Sequence, residues 1–89
     1  MAIGIRGKLA GVTAEQFEAM DAAVGSDPPD GLIFHASGPI EGGWQVLDFW
    51  ESREQFDRFI TEHVAPVMAQ SGAAPPEITE FEVHEYLKP

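Results

Sequence analysis

The chain has no cysteine, and it carries only five lysines and arginines against fifteen aspartates and glutamates in 89 residues. Without cysteine there is no disulfide, no thiol nucleophile and no zinc–thiolate site. A net charge of −10 repels phosphate backbones and anionic bilayers, so neither nucleic acid nor a membrane is expected as a partner. No stretch approaches the ~18 apolar residues of a membrane span, and the N-terminal MAIGIRGKLAG lacks a signal-peptide core. These absences make the cytoplasm the expected location. Phosphate-binding glycine loops, dinucleotide fingerprints and nucleophile motifs are missing too, and Gly42-Gly43 reads as turn chemistry.

What is present is an ordinary apolar content of 44%, enough for one folded domain over residues 1–89. A chain this short buries only ~60–65% of its unfolded surface, so a second copy would help it. The most informative stretch is GWQVLDFWESREQFDRFITEHVAPVM, residues 43–68. It opens as a strand with large apolar side chains on both faces, then turns within a residue into an amphipathic helix. Both faces of that strand need covering, and the chain's own helices can cover one.

In chain order, residues 2–9 read as a strand, with Ile3, Ile5 and Leu9 opposed to Gly4, Arg6 and Lys8. Thr13 and Gln16 form a capping box, and Phe17, Met20 and Val24 continue it as a helix over 14–24. The loop 25–31 holds two prolines and two glycines. Strands follow at 32–37 and 44–51, with residues 38–43 as the hairpin turn. Ser52 and Gln55 repeat the capping signature before a second helix, in which Pro66 predicts a kink or break. His63 reads as a core or end-of-helix histidine, and a last strand covers 77–87. Two βα units joined by a hairpin predict an α+β, ferredoxin-like βαββαβ fold. Right-handed crossovers give an antiparallel four-stranded sheet of order 4-1-3-2 with both helices on one face.

Side-chain parity then sorts the sheet. With Ser37 opposite Trp44, one face collects Leu32, Phe34, Ala36, Leu47 and Phe49, joined by Phe81 and Val83. Being purely apolar, this set is expected beneath the helices. The helix-free face then collects Ile33, His35, Ser37, Trp44, Val46, Asp48 and Trp50, joined by Arg6, Glu82, His84 and Tyr86. Exposed indoles in that number require a second subunit, a ligand, or both.

His35 and Asp48, as diagonal neighbours, are within reach of a hydrogen bond, and a carboxylate-oriented histidine beside indoles has the makings of a general base. They are the candidate catalytic pair, although the same pair also suits a structural role. Arg6, Trp44, Trp50, His84 and Tyr86 are the candidate substrate-binding residues, with Arg6 able to hold an anion or to pair with Glu82. A metal shared by His35 and His84 is disfavoured, because their strands form opposite edges about 14 Å apart.

The run DFWESREQFDRF over residues 48–59, with the chain length and element order, resembles the dimeric α+β barrel superfamily, especially the antibiotic-biosynthesis-monooxygenase-like domains. The resemblance implies a homodimer enclosing a small aromatic or apolar ligand, and cofactor-independent oxygenation of an aromatic or polyketide-like substrate. It equally accommodates a non-catalytic binding protein or a purely structural dimer. Heme-degrading members carry a tryptophan, a histidine and an asparagine where Phe59, Ala69 and Arg6 stand here. No heme or other cofactor, and no metal, is therefore expected.

Overall fold

Thr13 fixes the start of the first helix, as its sequence predicts. Its hydroxyl accepts from the Gln16 N–H at 3.1 Å while the Gln16 side chain accepts from the Thr13 N–H at 2.9 Å. The computed structural model describes residues 1–25, 27–85 and 87. Its elements are β1 (Ile3–Ala10), α1 (Ala14–Val24), β2 (Leu32–Ile40), β3 (Gly43–Trp50), α2 (Arg53–Phe59), α3 (Ala65–Ser71) and β4 (Glu77–Glu82). The strands form one antiparallel sheet of order β2-β3-β1-β4, which is the expected 4-1-3-2 read from the other edge.

Three local departures from expectation have identifiable causes. The hairpin turn is two residues long rather than six, because Ile40 already pairs with Gly43 and Gly42 supplies the left-handed backbone at φ 81°. This slides the β2–β3 register by two positions, placing Pro39 opposite Trp44 and His35 directly opposite Asp48. The second capping box is only half formed. Ser52 accepts from the Gln55 N–H at 3.2 Å, but the Gln55 amide donates to Asp30 instead, tying the helix start to the preceding loop.

At Pro66 the helix neither breaks nor ends. Ile60–Val64 widens into a π-helical turn in which the Ala65 N–H reaches the Ile60 carbonyl, and the backbone stays right-handed helical on into α3. In a regular α-helix the proline ring would collide with the Glu62 carbonyl, and one extra residue in the turn moves that carbonyl aside.

The largest difference concerns which face lies under the helices. Trp50 is 0% exposed and packs with Ile5 and Phe56 in the core, with Ile3, Leu32, Phe59 and Ile60 around them. Trp44 stacks on Phe17 of α1 with ring centroids 5.2 Å apart. The tryptophan face of β3 is therefore the helix-covered one, and Phe34, Leu47, Phe49 and Phe81 occupy the open face. For β3, and for Phe34 and Phe81 beside it, the expected assignment is inverted, whereas Arg6 keeps its expected open face and Val83 its expected burial. Ile5 is the cause: it pairs with Asp48, so the buried row of β1 shares a face with Trp44, Val46, Asp48 and Trp50.

A bulge between Leu32 and Phe34 adds a further correction. Leu32 pairs with Trp50 and Phe34 with Phe49, so Ile33 is the extra residue, and Leu32 packs against the core beneath the helices as expected while Phe34 does not. On β4, Glu82 pairs with Ile3 and so leaves Arg6, whose partners across the sheet are Leu47 and Thr79. Across the helix-facing side, Arg53 of α2 contacts Glu80 of β4 and Asp57 one turn on. Asp57 and then Glu80 raise the pKa of its guanidinium. The three groups are exposed, so this contact fixes geometry more than it stabilises.

Candidate functional site

β2 and β3 bring His35 and Asp48 side by side, with His35 Nδ1 and Asp48 Oδ1 at 2.5 Å. The side chains remain 41% and 13% exposed respectively. β2 is an edge strand, and the helices do not roof His35 even though it stands on their side of the sheet. When Nδ1–H donates to the carboxylate, the neutral ring presents Nε2 as a lone-pair acceptor. Asp48 is flanked on its other side by Ile5 and on its own strand by Val46 and Trp50. The carboxylate thus has an apolar back and one polar neighbour, an arrangement that fixes its orientation toward His35.

The two indoles stand on the same face of β3 as Asp48. Trp50 meets Phe56 edge-on at 5.7 Å and Phe59 at 5.3 Å, and Phe59 in turn lies 5.6 Å from the ring of His63. An aromatic row therefore climbs from β3 through α2 into the π turn. His63 is exposed rather than in the core. The indole nitrogens of both Trp44 and Trp50 are buried and lack a hydrogen-bond partner among the described residues.

Of the residues singled out from the sequence, His35, Asp48, Trp44 and Trp50 share one face, the helix-covered one. Arg6 stands on the opposite face, where its Nε donates to Gln45 at 3.1 Å. His84 is exposed beyond the end of β4, on the far edge of the sheet from His35. Tyr86 lies outside the described residues. Among those residues no group of three or more histidine, aspartate or glutamate side chains is placed to hold a metal ion. No helix among them is long and apolar enough to cross a membrane.

Two features escaped the sequence reading. One is the aromatic chain Phe34–Phe49–Phe81 on the open face, with centroid separations of 6.5 and 6.2 Å and its two end rings exposed, which side-chain parity places beneath the helices. Gly4 was its signal, because only a residue without Cβ lets Phe81 and Phe49 lie across β1. The other is a cleft of about 320 Å³ between α1 and α3, bordered by Val12, Gln16, Met20, Ser71 and Ala73. His35 is not among its lining residues, which are neutral. The cleft offers no titratable side chain.

No family model matches the chain, and no curated protein does either. Solved structures do. SnoaB from Streptomyces nogalater, a cofactor-independent oxygenase, superposes with TM-score 0.69 at 13% identity, covering 97% of this chain and 95% of its own. A candidate antibiotic biosynthesis monooxygenase from Chloroflexus aurantiacus gives 0.68 at 19% identity, covering 97% of both chains. MhuD, solved as an R26S variant with two manganese protoporphyrin IX molecules per active site, gives 0.64 at 20% identity over 100% of both chains. The chain therefore has the α+β, ferredoxin-like fold of the antibiotic-biosynthesis-monooxygenase-like proteins.

Proposed function

We propose that the protein binds a small aromatic or polyketide-like molecule against the helix-facing side of the sheet, at the His35–Asp48 pair, and oxygenates it without a cofactor. The observation that carries this reading is the bond between His35 Nδ1 and Asp48 Oδ1, made by a histidine that still reaches solvent. Asp48 holds the ring, and Nε2 takes the proton from a phenol or from a CH₂ group activated by neighbouring carbonyls. The resulting anion passes electrons to dioxygen. One oxygen atom stays in the product as a carbonyl and the other leaves as water, so CH₂ plus O₂ gives C=O plus H₂O with no further reductant. Trp44 and Trp50 are the apolar wall of this side of the sheet. SnoaB, a cofactor-independent oxygenase of the same fold, supports the reaction class.

The open face belongs to assembly in this reading. Phe34 and Phe81 are 58% and 56% exposed, on a sheet surface that a second copy can cover. We take the working unit to be a cytoplasmic homodimer.

The test is to compare wild type with His35→Ala and Asp48→Asn, using a panel of phenols and quinols read by oxygen uptake and by Trp44 and Trp50 fluorescence quenching. Catalysis predicts folded variants that lose turnover by ~10²–10⁴-fold. Quenching without oxygen uptake in wild type would leave a binding protein. The purely structural alternative finds its support in the complete burial of Trp50, and it predicts that both substitutions lower stability and leave no ligand signal.

A further inference from the structure

The geometry points to an oxyanion-binding subsite on the open sheet face, built by Arg6 with Lys8 and Gln45, that takes a carboxylate- or phosphate-bearing small molecule. It is separate from the His35–Asp48 pair, which stands on the other side of the sheet.

Charge segregation carries the argument. The chain has five basic residues against fifteen acidic ones, yet β1 places Arg6 and Lys8 two residues apart on the same face. Pairing lays out the surroundings in rows. Arg6 lies between Leu47 and Thr79, Lys8 between Gln45 and Glu77, and Gly4 between Phe49 and Phe81. Among the strand residues of this face, two are cationic and Glu77 alone is anionic. It is the one net-positive face of the sheet in a strongly acidic protein. Arg6 engages only the neutral Gln45, and neither Arg6 nor Lys8 forms an ion pair among the described residues.

A guanidinium with one of its five N–H groups on a neutral amide keeps its planar donor edge for a carboxylate or phosphate. Its position on an inner strand, beside the exposed phenylalanines, matters for affinity. When a second copy covers this face, as proposed above, the guanidinium is withdrawn from water and needs a counter-charge. Glu77 lies nearest to Lys8, and two copies leave a net positive interior. An anion with an apolar or aromatic body satisfies both the cations and the phenylalanine row. The subsite rests on the dimeric reading only for its enclosure.

Benzoate and inorganic phosphate are the probes, titrated into the full chain by calorimetry and by thermal melting at fixed ionic strength, with chloride as the control. Sedimentation runs in parallel on the same samples. Wild type should melt higher with either probe than with chloride. Arg6→Gln should weaken binding at least ~10-fold, Arg6→Lys less, because it keeps the charge and loses the fork. Lys8→Gln should cost a few-fold. Stronger benzoate than phosphate binding identifies a carboxylate on an apolar body as the ligand, and the reverse identifies a phosphate.

His35→Ala should retain the anion response, and its loss there would overturn the placement. Equal responses in wild type and Arg6→Gln, or no response beyond chloride, would overturn the subsite. An Arg6-dependent response in a protein that sediments as a monomer supports the subsite and refutes the dimer. Should Arg6→Gln fail to fold, unaltered affinity in Arg6→Lys and in Lys8→Gln would overturn the proposal.

Discussion

Trp50 sets two energetic terms against each other, and Trp50→Phe measures which is larger. The side chain is fully buried, and its indole nitrogen has no acceptor among the described residues. Replacing indole by phenyl removes about three ring atoms, roughly two methylene equivalents, and so loses about 1.6 kcal/mol of burial. Removing an unpaired buried N–H returns about 1–3 kcal/mol of desolvation cost. The edge contact with Phe56 survives the change. The two terms nearly cancel, so Trp50→Phe should lie within about 1 kcal/mol of wild type. Trp50→Ala, which loses the whole ring, should cost about 3–5 kcal/mol. Urea unfolding followed by far-ultraviolet circular dichroism gives both numbers, with Trp44 left as the fluorescent reporter. A loss of 3 kcal/mol or more for the phenylalanine variant would refute the reasoning, because it would mean that the N–H is bonded in solution.

Gly4→Ala places a Cβ 2.4 Å from Phe81 and 3.1 Å from Phe49. It should leave the monomer within about 1 kcal/mol of wild type, since Phe81 can swing into solvent, while weakening dimerisation by about 1–3 kcal/mol, read by sedimentation equilibrium. Pro66→Ala restores the missing N–H and should let the π turn relax to α-helix, rotating Val67 and Met68 out of place. A destabilisation of about 1 kcal/mol or more is expected, and a raised melting temperature would contradict it. Ser52→Ala removes the cap on α2 and should cost about 1 kcal/mol in the same urea assay, with no change in dimer affinity.

The element order, strand order and both helix starts were legible because capping boxes, turn residues and hydrophobic periodicity are local signals. The pairing of His35 with Asp48 was legible from parity, which survives a register slide of two residues. Which face meets the helices was not legible. Polarity points to the wrong face, because both faces of β3 carry large apolar side chains and His35 and Asp48 sit on the buried one; the decision rests on how β1 and β3 align across the sheet. The parity of β1 held the answer, since Ile3, Ile5 and Leu9 must be buried, but nothing local ties Ile5 to Asp48. The bulge at Ile33 escaped for a related reason. Regular alternation predicts no bulge there, and neither Ile33 nor its two neighbours is a glycine.

The bulge at Ile33 and the π turn at Ile60–Val64 share a property that bears on how such a chain changes length. Each accommodates one residue beyond the regular pattern, the first shifting the phase of a strand by half a period and the second that of a helix by about 100°. Elsewhere a single insertion or deletion would turn buried side chains outward along the rest of its element. At these two places the surplus is already absorbed. Deleting Ile33 would leave a regular strand with Leu32 still opposite Trp50 on one face and Phe34 opposite Phe49 on the other, and deleting one residue from the π turn together with Pro66→Ala would leave an uninterrupted α-helix. Gaps in alignments of chains sharing this architecture are therefore expected at these two places, at the strand without a compensating change and at the helix with one substitution.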